Sequence, residues 1–376
     1  MTTVGNLSAT LKRRSAGFFT ILLAAIVAAT VISLPASAQG NTFGDLGVMT
    51  YNVNEGTDFE QVIGVTTPLE FLLGVGQIVT QVQGTNPPER MQAVAAQILA
   101  AGSTLVSLQE VDQWYVGSFN PVDGTCGAVS LQYDMLQELM DALAAQGGHY
   151  QIAKQVQEIA FPPTPGLIPS SGFLCAAVTD NNVILARTDI NPNIFQWSNP
   201  QSGQFATAAL LPTPFGTNIP ITRSWASLDV QFHGTTFRFI GTHLESFVPL
   251  IREAQGSELR AGPANTSLPV VVAMDSNAQA FPLPQDPTYT DFIAAGFNDA
   301  WQEIFPLTPG LTCCQNEADN NPVSQLYQRI DLILTLGNIN AQRIALFGAD
   351  PSTRTPDGLW PSDHAGVAAR LNVKGN

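Results

Sequence analysis

Positive charge is scarce in this chain. Among 376 residues, 15 lysines and arginines stand against 30 acids, giving a formal net charge of −15. Sequence-independent nucleic-acid binders carry a basic footprint, and none is visible here. That argues against direct polyanion binding, although an acidic protein can still hold a phosphate through a divalent cation. Cysteines number only four and form no CxxC pair, which argues against a zinc framework. The GxSxG elbow, the HExxH helix and the P-loop are all missing, so the hydrolases, zinc peptidases and nucleotide-binding proteins built on them have no support. Internal repeats and charged low-complexity runs are absent too.

Long apolar runs are confined to the N-terminus. Lys12-Arg13-Arg14 precedes an apolar stretch over 18–34, and Ala36-Ser37-Ala38 follows as a small-residue cleavage pattern. The expectation is a signal peptide over 1–38, leaving Gln39 first and no stable membrane anchor after cleavage. The chain would then be secreted or periplasmic. Residues 39–376 are expected to form one catalytic domain and a monomer. In an oxidising compartment the cysteines can pair, and Cys126–Cys175 with Cys313–Cys314 is one of three pairings open to them.

Along the rest of the chain, short apolar strands recur and end in polar groups. A strand over 47–53 finishes at Asn52 and Asn54. An amphipathic helix over 89–101 (Met91, Val94, Ile98) leads into a strand over 105–108 that delivers Gln109-Glu110. A second helix carries Leu136, Leu139, Met140 and Leu143, with Ser130 as its cap and Gly147-Gly148 as its stop. Residues 69–79 are too short to span a bilayer and read as a covering helix. Gly74-Val75-Gly76 lacks the third glycine and the preceding strand of a dinucleotide loop. Residues 161–172, rich in proline, glycine and serine, read as a loop. A strand over 182–187 and a hairpin turning at His233-Gly234 follow. Further strands end at Asp275-Ser276-Asn277 or begin at Asp331, a short helix covers 291–295, and the last strand, over 365–371, is preceded by Asp363-His364.

Polar side chains therefore gather at strand ends: Asn52, Glu110, His243, Asp275, Asn277, Asp331, Asp363 and His364. His149 follows a helix stop and His233 sits in a turn, and both read as structural. Carboxylate and amide oxygens with few sulfur or imidazole ligands suit Mg2+ or Mn2+. A catalytic imidazole needs a partner that fixes its tautomer, and Asp331 is the candidate partner of His364.

The segments Thr50-Tyr51-Asn52, Gln109-Glu110, Asn182-Val183-Ile184-Leu185, Gly241-Thr242-His243-Leu244, Met274-Asp275-Ser276-Asn277, Arg329-Ile330-Asp331 and Ser362-Asp363-His364 occur in that order. The chain thereby resembles the endonuclease/exonuclease/phosphatase superfamily from about 46 to 371, with insertions at 57–88 and 157–173 and little similarity over 303–325. The resemblance implies an α/β fold, a DNase I-like four-layer sandwich of two stacked mixed β-sheets flanked by helices. It implies a metal-dependent phosphoesterase in which Glu110, Asn52 and Asp363 hold Mg2+ or Mn2+, with Asn54 as a further possibility. His243, Asp275, Asn277, Asp331 and His364 would be catalytic, with either Asp275 or His364 as the base. Asn182 and Arg223 would contact substrate, with a structural ion pair as the alternative for Arg223. Asn181-Asn182-Val183 and Met274 depart from the glycine-containing patterns usual at those places. The implied substrate is a phosphodiester: a nucleic acid, or a phospholipid as in a sphingomyelinase-like enzyme that touches lipid through 69–79 and 161–174. A non-catalytic binding protein on the same scaffold is the third reading.

Overall fold

A computed structural model describes residues 45–374. The expected signal peptide lies outside the described residues. In chain order the elements are β1 (Asp45–Asn52), α1 (Pro68–Gly84), α2 (Pro87–Ala101), β2 (Leu105–Gln109), β3 (Gln113–Asn120), β4 (Thr125–Asp134), α3 (Met135–Ala145), β5 (Tyr150–Ile168), β6 (Gly172–Arg187), β7 (Phe195–Gln204), β8 (Ala209–Pro212), β9 (Asn218–Ile221), β10 (Ser224–Phe232), β11 (Thr235–His243), α4 (Pro249–Ala261), β12 (Val270–Asp275), α5 (Pro287–Ala294), β13 (Asn298–Asp299), α6 (Ala300–Ile304), β14 (Asp331–Leu336), β15 (Ile339–Phe347) and β16 (Gly366–Val373).

Two mixed sheets result. The first runs β15-β16-β1-β2-β6-β3-β4, with β5 added to β6, and the second runs β13-β14-β12-β11-β10-β7. Strands of alternating character turn one face of each sheet inward, and Val48, Leu105, Ile184, Leu228, Phe239, Val271 and Ile333 from both sheets share one buried core. The outer face of the first sheet is covered by α2 and α3 through Met91, Val94, Ile98, Leu136 and Leu139. The outer face of the second is covered by α4 and α5 through Leu259, Tyr289 and Phe292. This is the four-layer sandwich that the resemblance implies. The sheets approach closely at Gly241, where a Cβ would meet Ser107 Oγ at 2.5 Å.

Strand direction explains why the polar strand ends converge. Each sheet contains one parallel pair, β1–β2 and β11–β12. Their C-terminal ends bring Asn52 beside Gln109, and His243 beside Asp275. β16 runs antiparallel to β1 and β14 antiparallel to β12. Antiparallel partners start where their neighbours finish, so Asp363-His364 and Asp331 enter at the same end.

Three local expectations are corrected. Residues 161–172 are not a loop: they form the end of β5 and the turn into β6, paired from Tyr150↔Arg187 to Ile168↔Gly172. Pro162, Pro163 and Pro165 fit there because β5 is an edge strand with an irregular register between Phe161 and Thr164. Ser130 does not cap α3. It lies in β4 and donates to Val116 O, while Asp134 accepts the Gln137 N–H at 3.0 Å and is the cap. The helix expected over 291–295 starts earlier, at Pro287, because Asp286 caps it and proline fits the first helical position. Residues 69–79 do form a covering helix: Thr67 and Glu70 make a capping box, and Gly76 lets α1 lie against the backbone at Leu167. Among the described residues no helix is long and apolar enough to cross a membrane. Cys126 is bonded to Cys175 and Cys313 to Cys314, the pairing considered above.

A buried arginine ties the strand ends together. Arg90 of α2 donates to Thr85 O, Val53 O, Asn54 O and Pro361 O, and lies 3.6 Å from Asp319, with both side chains fully buried. It thus holds the chain after β1 against the chain before His364. Removing one member of a buried ion pair strands the other, at a cost of about 3–5 kcal/mol. Arg90→Met is expected to lose about that much stability, read as a lower midpoint in urea unfolding.

Candidate active site

Asp275 stands at the centre of the cleft. Its Oδ2 accepts Asn52 Nδ2 at 3.0 Å and lies 3.5 Å from His243 Nε2 and 3.9 Å from His364 Nε2. Its Oδ1 accepts the Asn277 N–H at 2.9 Å. Burial favours the neutral acid, but the two imidazoles, Asn52 and Asn277 outweigh it and hold Asp275 below the ordinary carboxylate range.

His364 is oriented from behind. Its Nδ1 is 2.8 Å from Asp331 Oδ2, which leaves Nε2 facing Asp275, with Asp363 Oδ2 at 4.0 Å. The backbone N–H of His364 donates to Ser362 Oγ, and that hydroxyl donates to Asn52 O at 2.7 Å. The turn carrying Asp363-His364 is thereby fastened to the end of β1. Burial pulls the imidazole down, but Asp331, Asp363 and Asp275 together hold its pKa well above the ordinary value. Burial pushes Asp331 up to about 6 against the opposing pull of His364.

Glu110 follows β2 with its φ at 57°, a left-handed conformation rare for this residue type. Asn54 and Asn277 share that feature, with φ of 60° and 48°. Such backbone costs of order 1–3 kcal/mol per residue and persists where the surroundings over-determine it; here all three residues border one cleft. Glu110 Oε1 accepts Asn52 Nδ2 at 2.7 Å, Oε2 accepts the Glu55 N–H at 3.0 Å, and Oε1 lies 4.0 Å from His243 Nε2. Burial raises its pKa. The Glu110 and Asp363 side chains keep 18% and 26% exposure, so their oxygens face solvent from a mostly buried site.

The amides act as struts. Asn52 turns its nitrogen to Glu110 and Asp275, while its oxygen accepts the Asn54 N–H at 2.9 Å. Asn54 donates to Asp319 and accepts the Gly56 N–H, which directs it away from Glu110. Asn277 Nδ2 donates to Leu244 O and lies 3.0 Å from His243 Nε2.

Behind His243 is a layer that sequence reasoning missed. Glu158 of β5 is fully buried, with Oε2 3.2 Å from His243 Nδ1 and 3.4 Å from Arg223 Nη1. Arg223 Nη1 is itself 3.0 Å from His243 Nδ1. Asn182 is buried here too, donating to Glu158 and to Ser224. Asn182 and Arg223 therefore brace Glu158, and Arg223 makes the ion pair weighed as its alternative role. Burial and Arg223 lower the His243 pKa. Glu158 was obscured because it lies just before the proline-rich stretch, in a segment where no edge strand was expected. His149 and His233 are not part of this group.

No protein-family model and no curated protein matches the chain. Solved structures do match in fold. An endonuclease/exonuclease/phosphatase family protein from Bacteroides thetaiotaomicron is 17% identical, with 87% of this chain and 97% of that one covered at a TM-score of 0.52. A functionally unknown conserved protein from Enterococcus faecalis is 16% identical, covering 88% and 100% at 0.51. D. rerio TDP2, solved with a single-strand DNA product, is 15% identical, covering 88% and 99% at 0.50.

Proposed function

We propose that this chain, which has the DNase I-like fold of the endonuclease/exonuclease/phosphatase superfamily, is an exported, divalent-metal-dependent phosphoesterase that cleaves phosphodiesters, a nuclease first of all. One observation carries the reading. Asp275 meets the imidazoles of His243 and His364 and, through Asn52, the carboxylate of Glu110. These groups come from both sheets and from distant parts of the chain.

The donor set fits a hard cation. Glu110 and Asp363 would hold Mg2+ or Mn2+ through partly exposed carboxylate oxygens, and Asn52 would fix the Glu110 carboxylate. Bound there, such an ion supplies charge stabilisation to phosphate oxygens. The chain's own groups do the rest. Asp275, kept ionised, takes a proton from the attacking water. His364, kept protonated by Asp331, donates Nε2–H to a phosphoryl oxygen as negative charge builds on it. His243 and Asn277 face the same space and serve the leaving oxygen. This division of labour makes Asp275 rather than His364 the base.

A sphingomyelinase-like phospholipase is the second reading, favoured by exposed Phe247, Val248 and Leu250 shortly after His243 and exposed Leu283 shortly after Asn277. The net negative charge also disfavours a long polyanion. A substrate panel decides between the two: single-stranded and plasmid DNA, RNA, sphingomyelin, inositol phosphates and bis-p-nitrophenyl phosphate, each with Mg2+, Mn2+ or EDTA. Hydrolysis of bis-p-nitrophenyl phosphate and DNA is expected with metal, lost in EDTA and restored on adding metal back. Turnover that survives EDTA would sink the metal-dependent reading, and sphingomyelin as the best substrate would establish the second.

A further inference from the structure

Three acids that the mechanism does not use meet beside the cleft. Glu55 follows β1, Asp112 lies in the turn from β2 to β3, and Asp180 is in β6. β6 pairs with β2 through 183–186 and with β3 through 175–179. Asp180 therefore sits where β6 passes from one partner to the next, opposite the turn that carries Asp112, and Val111 N–H donates to Asn181 O at that point. One oxygen from each of Glu55, Asp112 and Asp180 lies within 4.8 Å of the other two.

The surroundings of these oxygens are what point to a ligand. Asp112 is fully buried and Asp180 is 1% exposed. Neither oxygen of Asp112, nor Oδ1 of Asp180, has a hydrogen-bond partner among the described residues. Among the basic groups, the His243 ring comes within 4.8 Å of an Asp180 oxygen, on the side of Asp180 that also faces Glu158. Asp112 touches the Asp180 carboxyl, and Asp180 touches Glu158, so acid faces acid. Arg223 is already engaged by Glu158 and His243. A buried carboxylate without a donor, as Asp112 is, is costly, and carboxyls packed against one another admit two remedies, a proton or a cation. An all-oxygen set selects a hard divalent cation. Glu55 is the partly exposed member and gives the site its opening.

We propose that Glu55, Asp112 and Asp180 form a second cation site, distinct from the one assigned to Glu110 and Asp363, which takes an ion of the Mg2+, Mn2+ or Ca2+ class. Glu55 links the two places, since its backbone N–H donates to Glu110 Oε2 and its carbonyl accepts Trp114 Nε1 at 3.0 Å. An ion held by the Glu55 side chain fixes the turn that orients Glu110. Its role is to neutralise the acids and hold that turn, and no reaction step passes through it.

The test counts ions. The purified protein is stripped with EDTA, desalted and titrated with Mn2+, with free Mn2+ followed by electron paramagnetic resonance. Two Mn2+ per chain are expected in the parent protein, one in Glu110→Gln and one in Asp112→Asn. Affinity for the second ion is expected to fall on the order of 100-fold or more in Asp112→Asn. Mn2+ should also raise the melting temperature of Glu110→Gln. One ion in the parent that vanishes in Glu110→Gln overturns this proposal and leaves the catalytic metal reading standing. One ion that vanishes only in Asp112→Asn upholds it and removes the catalytic metal. An unchanged count of two in folded Asp112→Asn overturns it, because the carboxyls are then relieved by a shared proton. Should Asp112→Asn fail to fold, Glu110→Gln decides: one retained ion supports the site, and none overturns it.

Discussion

His364→Ala is expected to lower kcat by about three orders of magnitude or more while the purified protein keeps its fold. The imidazole is buried, its Nε2 faces Asp275 at 3.9 Å, and in the proposed reaction that nitrogen is the donor to a phosphoryl oxygen. Removing one aimed donor costs about 2.7–4 kcal/mol of transition-state stabilisation, and here the donor also carries a positive charge. Asp331→Asn tests the same arrangement from behind. It leaves the ring in place but removes the charge at 2.8 Å that keeps the imidazole protonated. If His364 acts while protonated, as proposed, its raised pKa makes activity fail on the alkaline side as pH climbs through that raised value. Without the Asp331 charge the alkaline limb moves to lower pH, with KM little altered. A pH–rate profile of Asp331→Asn that superimposes on the parent's would refute the role given to the pair, as would near-parental turnover by His364→Ala.

Both histidines of the cleft and their acidic neighbours were legible because polar groups at strand ends leave a short-range mark. An apolar run that stops at Asn52, at Gln109-Glu110 or at Asp275-Ser276-Asn277 shows both the strand and the group it presents. The order of these segments was enough to imply two stacked sheets, and strand direction then brings the ends together. What could not be read has a different physical origin. Glu158 and Asp180 matter through neighbours supplied by β10, β11 and each other, and nothing local distinguishes a buried acid from a solvated one. Prolines in 161–172 argued for a loop, yet an edge strand needs hydrogen bonds on one side only and tolerates them. Arg90 and Asp319 are far apart in sequence, and Asp319 lies in a stretch with no periodic pattern, but together they lock the two turns that carry the site. Position at a strand end thus marked the groups that meet in the cleft, while the groups that hold them in place were visible only in the packed molecule.

Glu110→Gln should remove metal-dependent turnover almost completely and should do so without unfolding the protein. The substitution keeps the shape of the side chain and one oxygen, which can still accept the Glu55 N–H, while Asn52 Nδ2 loses Oε1 as a partner and keeps Asp275 Oδ2. It removes the negative charge, and with it the principal attraction for a hard cation at that place. A loss of about 1,000-fold or more in kcat/KM is expected at a metal concentration that saturates the parent. Excess Mn2+ should recover little of it, since the missing element is a charged ligand rather than the ion. Burial already raises the pKa of Glu110, so the neutral side chain sits in this environment at no greater desolvation cost than the carboxylate. The urea midpoint in EDTA, where no ion rewards the charge, should therefore stay close to the parent's, the relief of a buried charge offsetting the lost Asn52 hydrogen bond of about 1 kcal/mol. Loss of activity together with a maintained midpoint separates a ligand from a structural acid. Parental activity in folded Glu110→Gln would mean that the cation, if one is used, is held elsewhere, and the cleft around Asp275 would need a different chemistry.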